Sequence, residues 1–331
     1  MDLYIDKNNL VSFLRAGKNT NVDDRDVYEE CQRLIRRNMH LIFNFEKRSC
    51  EKDEDLLPWL LSKVSAGRGK SENVDEFRTQ KFPERPLKTN FRTNKDWKLF
   101  TSVFMLDDEK VSTLKDTHSM LIGDVGDEVA LLRELFCTGS FDLHSIYNIR
   151  DKQTFPGWKR LLDDGHIMPC SDIVIADRYL FDVSNTVMDK NLYVLLRLFA
   201  KMKDKQKVNI VFFTDVVEEE KRSIVKKNIE TIFGKKSGTK VTFVMYKNER
   251  PHDRFILTNY RLFRSGDSFN NYFDENGNLN TKGLTLDVDS LANQNVISIV
   301  EEIRSWLQGI CIRNPENIFG DKCSNFIHFN E

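Results

Sequence analysis

Ile173-Val174-Ile175-Ala176-Asp177-Arg178-Tyr179 is an apolar run of four residues that breaks into a charged turn, and the segments on its C-terminal side decide the fold. Such a run, bounded by polar residues, reads as a short strand buried on both faces. The mostly apolar stretch 186–203 predicts a helix, and 208–213 predicts the next strand. Thr214-Asp215 is then expected to cap a helix over 217–233, and 241–246 is a third strand. Strand-helix-strand-helix-strand implies a parallel sheet with right-handed crossovers.

The next two apolar segments, 252–258 and 261–263, come too soon for helical crossovers and are expected to pair antiparallel. A fourth strand running opposite to the third starts at the edge where the first three strands end, and ligands of open α/β sheets bind at that edge. Asp177, Arg178, Tyr179, Thr214, Asp215, His252 and Arg254 are therefore expected to converge on one crevice. Strand alternation puts His252 and Arg254 on a common face. A titratable imidazole beside a permanently charged planar fork suits a phosphate. A final helix over about 295–308 has Val296, Ile299, Val300, Ile303, Leu307 and Ile310 on one stripe and should cover a sheet face.

His252-x-Arg254, Asn259 and then Gly266-x-Ser268-x-Asn270 resemble one half of the phospholipase D signature, His-x-Lys-x4-Asp followed by a Gly-Ser-type turn and an Asn. Arg254 stands at the Lys position and Asn259 at the Asp position. The Asp177-Arg178-Tyr179 turn, Asn191 on the next helix and the His252-Asp253-Arg254 strand are similar to the phospholipase D-like domain found after microtubule-interacting-and-transport modules. That likeness covers about 171–308. It implies an α/β fold, a mixed sheet flanked by helices, with His252, Arg254, Asn259, Ser268 and Asn270 in catalytic positions. In the family two His-bearing halves meet, one His attacking phosphorus and the other protonating the leaving group, without metal. This chain has one half, so the resemblance implies a homodimer for a complete site. Because related domains occur in prokaryotic gene systems, it also implies a place in a nucleic-acid-handling or defence assembly.

The chain has 331 residues, 40% hydrophobic and 31% charged, which is the composition of a folded protein with room for two domains. We expect an irregular α+β domain over 1–150 and the phospholipase D-like domain over 151–331. No apolar run approaches the ~20 residues that span a bilayer, and the start lacks a basic flank and apolar core. A cytoplasmic location without membrane insertion is the expectation. The six cysteines show neither paired nor zinc spacing, so free thiols are expected and no cofactor is implied.

The net charge of −1 hides an uneven distribution. Lys221, Arg222, Lys226, Lys227, Lys235, Lys236 and Lys240 cluster, and with Arg264 they form a candidate nucleic-acid footprint. The same lysines, with Glu218, Glu219 and Glu220 ahead of them, also simply complement a helix dipole. Tyr179, Tyr246, Tyr260 and Phe269 are candidates for base stacking. In the first half, 3–5 and 41–45 read as strands, 27–37 and 53–64 as helices, and 66–98 as a long basic loop suited to a protein partner. Gly67-Arg68-Gly69-Lys70-Ser71 lacks the first glycine and preceding strand of a phosphate loop. Leu99 to Met105 reads as a strand and 127–136 as a helix. Three readings stay open: a phosphodiester-recognising module, a dimeric metal-independent nuclease with His252 as nucleophile, and an adaptor on an inactive scaffold.

Overall fold

The computed structural model describes residues 1–19, 22–45, 55–65, 71–73, 96–107, 111–136, 143–149, 154–202, 207–235, 237–246, 254–280 and 285–329. The chain divides into two compact units, Met1–Leu143 with Leu291–Ile297, and His144–Ser290 with Ser298–Glu331.

The first unit corrects the irregular α+β expectation. Its elements in order are β1 (Asp2–Ile5), α1 (Lys7–Asn19), α2 (Val22–Asn38), β2 (His40–Phe43), α3 (Leu56–Ser65), β3 (Ser71–Asn73), β4 (Val103–Met105), α4 (Val111–Thr117), β5 (Ile122–Gly123) and α5 (Glu128–Leu135). The strands form one sheet ordered β3-β2-β1-β4-β5, and every pair in it is parallel. Strands this short do not show a period in sequence, which is why the regular order is not visible there. Two local readings change accordingly. Ser71–Asn73, expected in the loop, is β3, and Asp96–Thr101 is a 3-10 turn that delays the strand expected from Leu99. Leu3, Ile5, Leu41, Val103 and Met105 are buried in this sheet. Gly17 lets α2 come close: a Cβ there would lie 1.9 Å from the Tyr28 ring.

The second unit holds β6 (His144–Asn148), α6 (Lys159–Asp163), β7 (Asp172–Ala176), α7 (Asn185–Lys190), α8 (Leu192–Lys201), β8 (Asn209–Thr214), α9 (Glu219–Phe233), β9 (Lys240–Met245), β10 (Arg254–Leu257), β11 (Arg261–Ser265) and β12 (Thr285–Ser290). The helix α10 (Gln294–Arg313) and strand β13 (Ile318–Gly320) come last. The eight strands are ordered β13-β9-β8-β7-β10-β11-β12-β6. β7, β8 and β9 are parallel, as the alternating sequence implies, and β10 runs antiparallel to both β7 and β11. Every residue of β7 and β8 is buried. Phe212 and Phe213 point to opposite faces and are both fully buried, each contributing about 1.5–3 kcal/mol, so both faces need a cover.

Three local readings are corrected here. The helix expected over 186–203 is broken at Asn191 (φ −123°, ψ −94°), whose side chain is committed to the loop after β11. Thr214-Asp215 does not cap α9: Glu218 occupies that position without a side-chain cap, and Asp215 is drawn to Arg178. The helix expected over 295–308 runs on to Arg313, and the chain after it adds β13 antiparallel to β9. Gly320 sits there at φ +97°, with the position of a Cβ only 2.2 Å from the Val241 carbonyl oxygen, so a side chain would push β13 off the sheet.

Cys31, Cys170, Cys311 and Cys323 are free thiols. Among the described residues no helix is long and apolar enough to cross a membrane.

Candidate functional site

Asp177 is the first residue beyond β7, and its position determines the crevice. Its backbone N–H donates to the Phe213 carbonyl at 3.0 Å, which keeps it at the sheet edge. Its carboxylate is buried and accepts three hydrogen bonds, from Ser268 Oγ at 2.7 Å, Phe269 N at 2.8 Å and Tyr179 N at 3.1 Å. Burial pushes its pKa up, opposed by those donors and by the charge of Arg254. Asp177 thus pins the turn after β11 to the end of β7.

The same loop is tied down a second time. Asn270 Nδ2 donates to the Leu180 carbonyl and Asn270 Oδ1 accepts from Leu192 N. Asn191 Nδ2 donates to the carbonyls of Asn270 and Phe273, at 3.2 and 2.8 Å, and Asn191 Oδ1 accepts from Phe273 N at 2.9 Å. Ser268, Asn270 and Asn191 are all buried. Their polar groups are spent on holding the loop, so they shape the crevice from inside and do not face it.

What the edge presents outward is an aromatic ring and two guanidiniums. Tyr179 is 43% exposed, with the Arg178 Cζ 5.5 Å and the Arg254 Cζ 5.6 Å from its ring centroid. Register explains the meeting: Phe255 pairs with Ala176, so Arg254 lies one step on, beside Asp177. Arg178 Nε donates to Asp215 Oδ2 at 2.9 Å, and Arg254 donates to the Gly266 carbonyl at 2.6 Å. Thr214 is buried, and its hydroxyl donates to the Arg178 carbonyl at 3.3 Å. Pro251, His252 and Asp253 lie outside the described residues.

No family model matches this chain, and no curated protein does. The site therefore rests on its own geometry.

That geometry separates several residues that sequence spacing joins. Asn259 lies past the far end of β10, fully buried, where Oδ1 accepts from Ser171 N and Asp172 N at 2.9 and 3.3 Å. A strand of four residues between it and Arg254 carries the two to opposite sheet edges. Arg264 is paired with Asp289 at 2.8 Å, and Asp289 also meets His144. Lys226 is paired with Asp321 on the tail at 3.0 Å, while its neighbour Lys227 is exposed on α9. Of the four aromatics expected to stack, Tyr246, Tyr260 and Phe269 are buried and only Tyr179 is open.

Sequence reasoning misses Ser171, Asp172, Asn209, Ser324 and Asn325, which with Asn259 form one buried polar network. Its one visible signal is Ser171-Asp172, two polar residues directly before the apolar run 173–176. The Asn325 partner is 153 positions away and leaves no local trace. Among the described residues no three His, Cys, Asp or Glu side chains group closely enough to hold a metal ion by themselves.

Proposed function

We propose that the second unit recognises a phosphodiester, most readily single-stranded nucleic acid, at the edge formed by Tyr179, Arg178 and Arg254. The observation that carries this reading is the half-open Tyr179 ring with guanidiniums on it at 5.5 and 5.6 Å. A base has a π face to stack on such a ring, and the guanidiniums bring positive charge and planar donors to the adjoining phosphate. Lys227 extends the positive footprint. The resemblance to the phospholipase D superfamily supports the same ligand class and a role for the module inside a larger nucleic-acid-handling or defence assembly.

A second reading is phosphodiester cleavage by a homodimer with His252 as nucleophile. It is favoured by sequence spacing alone: His252 stands two residues before Arg254, as the His stands before the Lys in the family's signature. One experiment separates the readings. Wild type, Tyr179→Ala, Arg254→Ala and His252→Ala are incubated in EDTA with labelled single- and double-stranded DNA and RNA, and binding and cleavage are read from the same samples. Binding that weakens in Tyr179→Ala and Arg254→Ala, without cleavage, supports recognition. Cleavage lost only in His252→Ala establishes the nuclease. Wild type that binds nothing overturns both and leaves the adaptor, with a protein partner on the N-terminal half.

A further inference from the structure

The Tyr179 edge continues across the sheet. β7, β8 and β9 are parallel and in register, with Ala176 opposite Phe213 and Phe213 opposite Val244. Two residues further on, Arg178, Asp215 and Tyr246 therefore stand level at the carboxyl ends of three neighbouring strands, which lie about 4.8 Å apart. Backbone bonds keep that alignment past the strand ends: Asp215 N donates to the Arg178 carbonyl at 3.2 Å, and Tyr246 N to the Thr214 carbonyl at 3.0 Å. The Arg178 guanidinium, paired with Asp215, lies close enough to the Tyr246 phenol for an electrostatic interaction.

The last helix adds a ring to this row. Trp306 on α10 meets Tyr246 edge to face, with ring centroids 6.1 Å apart and planes at 88°. Both residues belong to the second unit, so the contact is internal to it. Tyr246 is buried, whereas Trp306 keeps open surface. The other three tryptophans, Trp59, Trp97 and Trp158, are all buried. A buried ring beneath the indole fixes where it stands, so little order has to be gained when another ring stacks on it. Glu302, one helical turn earlier and exposed, shares that face of α10. Its charge repels a phosphate and leaves the flat face of a base unopposed.

We propose that Trp306 is a second stacking position for single-stranded nucleic acid, taking a base further along the strand whose phosphates meet Arg178 and Arg254. The inference rests on the Tyr179 reading and extends its footprint from one base to a run across the ends of β7, β8 and β9. Contact at Trp306 is to the base alone, so it adds affinity without adding salt dependence.

The probe is single-stranded oligothymidylate of about 16 nucleotides, long enough to cover the whole edge. The full chain is titrated as wild type, Trp306→Ala, Trp306→Phe and Tyr179→Ala, with affinity read from a labelled strand and tryptophan fluorescence from an unlabelled one. A stacked base should quench the wild-type fluorescence, and Trp306→Phe should bind comparably without that quenching. Trp306→Ala should lose about five- to 150-fold in affinity with the salt slope unchanged. Trp306→Phe keeps an aromatic ring against Tyr246, so it tests the site even if Trp306→Ala does not fold. Wild type that binds without quenching, quenching that persists in Trp306→Phe, or folded Trp306→Ala that binds as wild type does, overturns the second position and leaves the Tyr179 reading standing. Wild type that binds nothing overturns both.

Discussion

The two ends of β10 carry similar polar chemistry and use it in opposite ways. At the Asn259 end the polar groups turn inward and bond to one another: Asp172 accepts from Asn325 N, Asn325 Nδ2, Ser324 Oγ, Ser171 Oγ and Asn209 Nδ2. Asp172, Asn209 and Asn259 are fully buried there. At the Arg254 end Asp177 is just as buried, yet it stands directly behind an exposed tyrosine and two half-exposed arginines. An inward network fixes the tail to the sheet, whereas the other end carries an exposed ring and two guanidiniums at the surface. One strand thus separates a structural lock from a surface suited to a ligand.

The largest effect should come from breaking the lock. Asp172→Ala leaves five donors without their acceptor at a fully buried position. Losing the centre of such a network costs about 3–5 kcal/mol. Arg254→Ala, at the open end, should cost under about 1 kcal/mol. Urea titration of the full chain measures both. Equal midpoints for the two variants would mean that the two ends do not differ as lock and open edge.

Acid should loosen the locked end next. His166 is buried beside Tyr147, and its pKa is pushed down to about 4, by burial first and then by the charge of Arg261, which opens β11 at that end. The folded protein keeps the ring neutral while the unfolded chain takes up a proton below about 6.5. The stability tied to this group is therefore complete above about pH 6.5 and lost as pH falls through about 4, a change of about 3 kcal/mol. His118 in the first unit, pushed down to about 4 by burial, has the same direction. His166→Gln should flatten the fall in Tm between neutral pH and about pH 4.5 without abolishing it. A slope identical to wild type would show that His166 does not carry the acid sensitivity.

The open end is legible in sequence, and the reason is local. A buried strand announces itself by four apolar residues, the turn after it by Asp177-Arg178-Tyr179, and an antiparallel return by the short spacing before Arg254. The network at Asp172 is not legible, because its members come from Ser171 to Asn325 and meet only after the tail has wrapped onto the sheet. Asn259 and Asn191 show the same limit. Each matches a motif position, but it also bonds backbone about 80 or more positions away, and nothing in a one-dimensional spacing reports that. In the first unit β1 and β2 are readable, but β3 and β5 are too short to leave any period, so the parallel order of the sheet is hidden.

Tyr179→Ala sharpens the comparison from the other side. Stacking on an aromatic is worth about 1–3 kcal/mol per base, so affinity for single-stranded nucleic acid should fall about five- to 150-fold. Because the ring is exposed, stability should stay within about 0.5–1 kcal/mol. Arg254→Ala should weaken binding and reduce the salt slope by about 0.7, the share of the one phosphate it would no longer neutralise. A Tyr179→Ala variant that unfolds easily and binds normally would place the ring in the structural set.

Lys226 gives the smallest expected effect and the finest test. Its ammonium contacts both oxygens of Asp321, at 3.1 and 3.0 Å, and Asp321 also accepts from Val241 N at 2.8 Å, so this lysine closes the tail against the sheet. The pair is about a third exposed on the lysine side, which limits its worth to about 0.2–1 kcal/mol. Lys226→Ala should lower stability by that little and leave nucleic-acid affinity and its salt slope unchanged, because a charge already matched releases no counterion. Lys227→Ala, one residue on and exposed, should do the reverse. If both variants weaken binding alike, the footprint runs along α9 regardless of pairing, and the division between matched and open groups fails at the surface even though it holds at the two ends of β10.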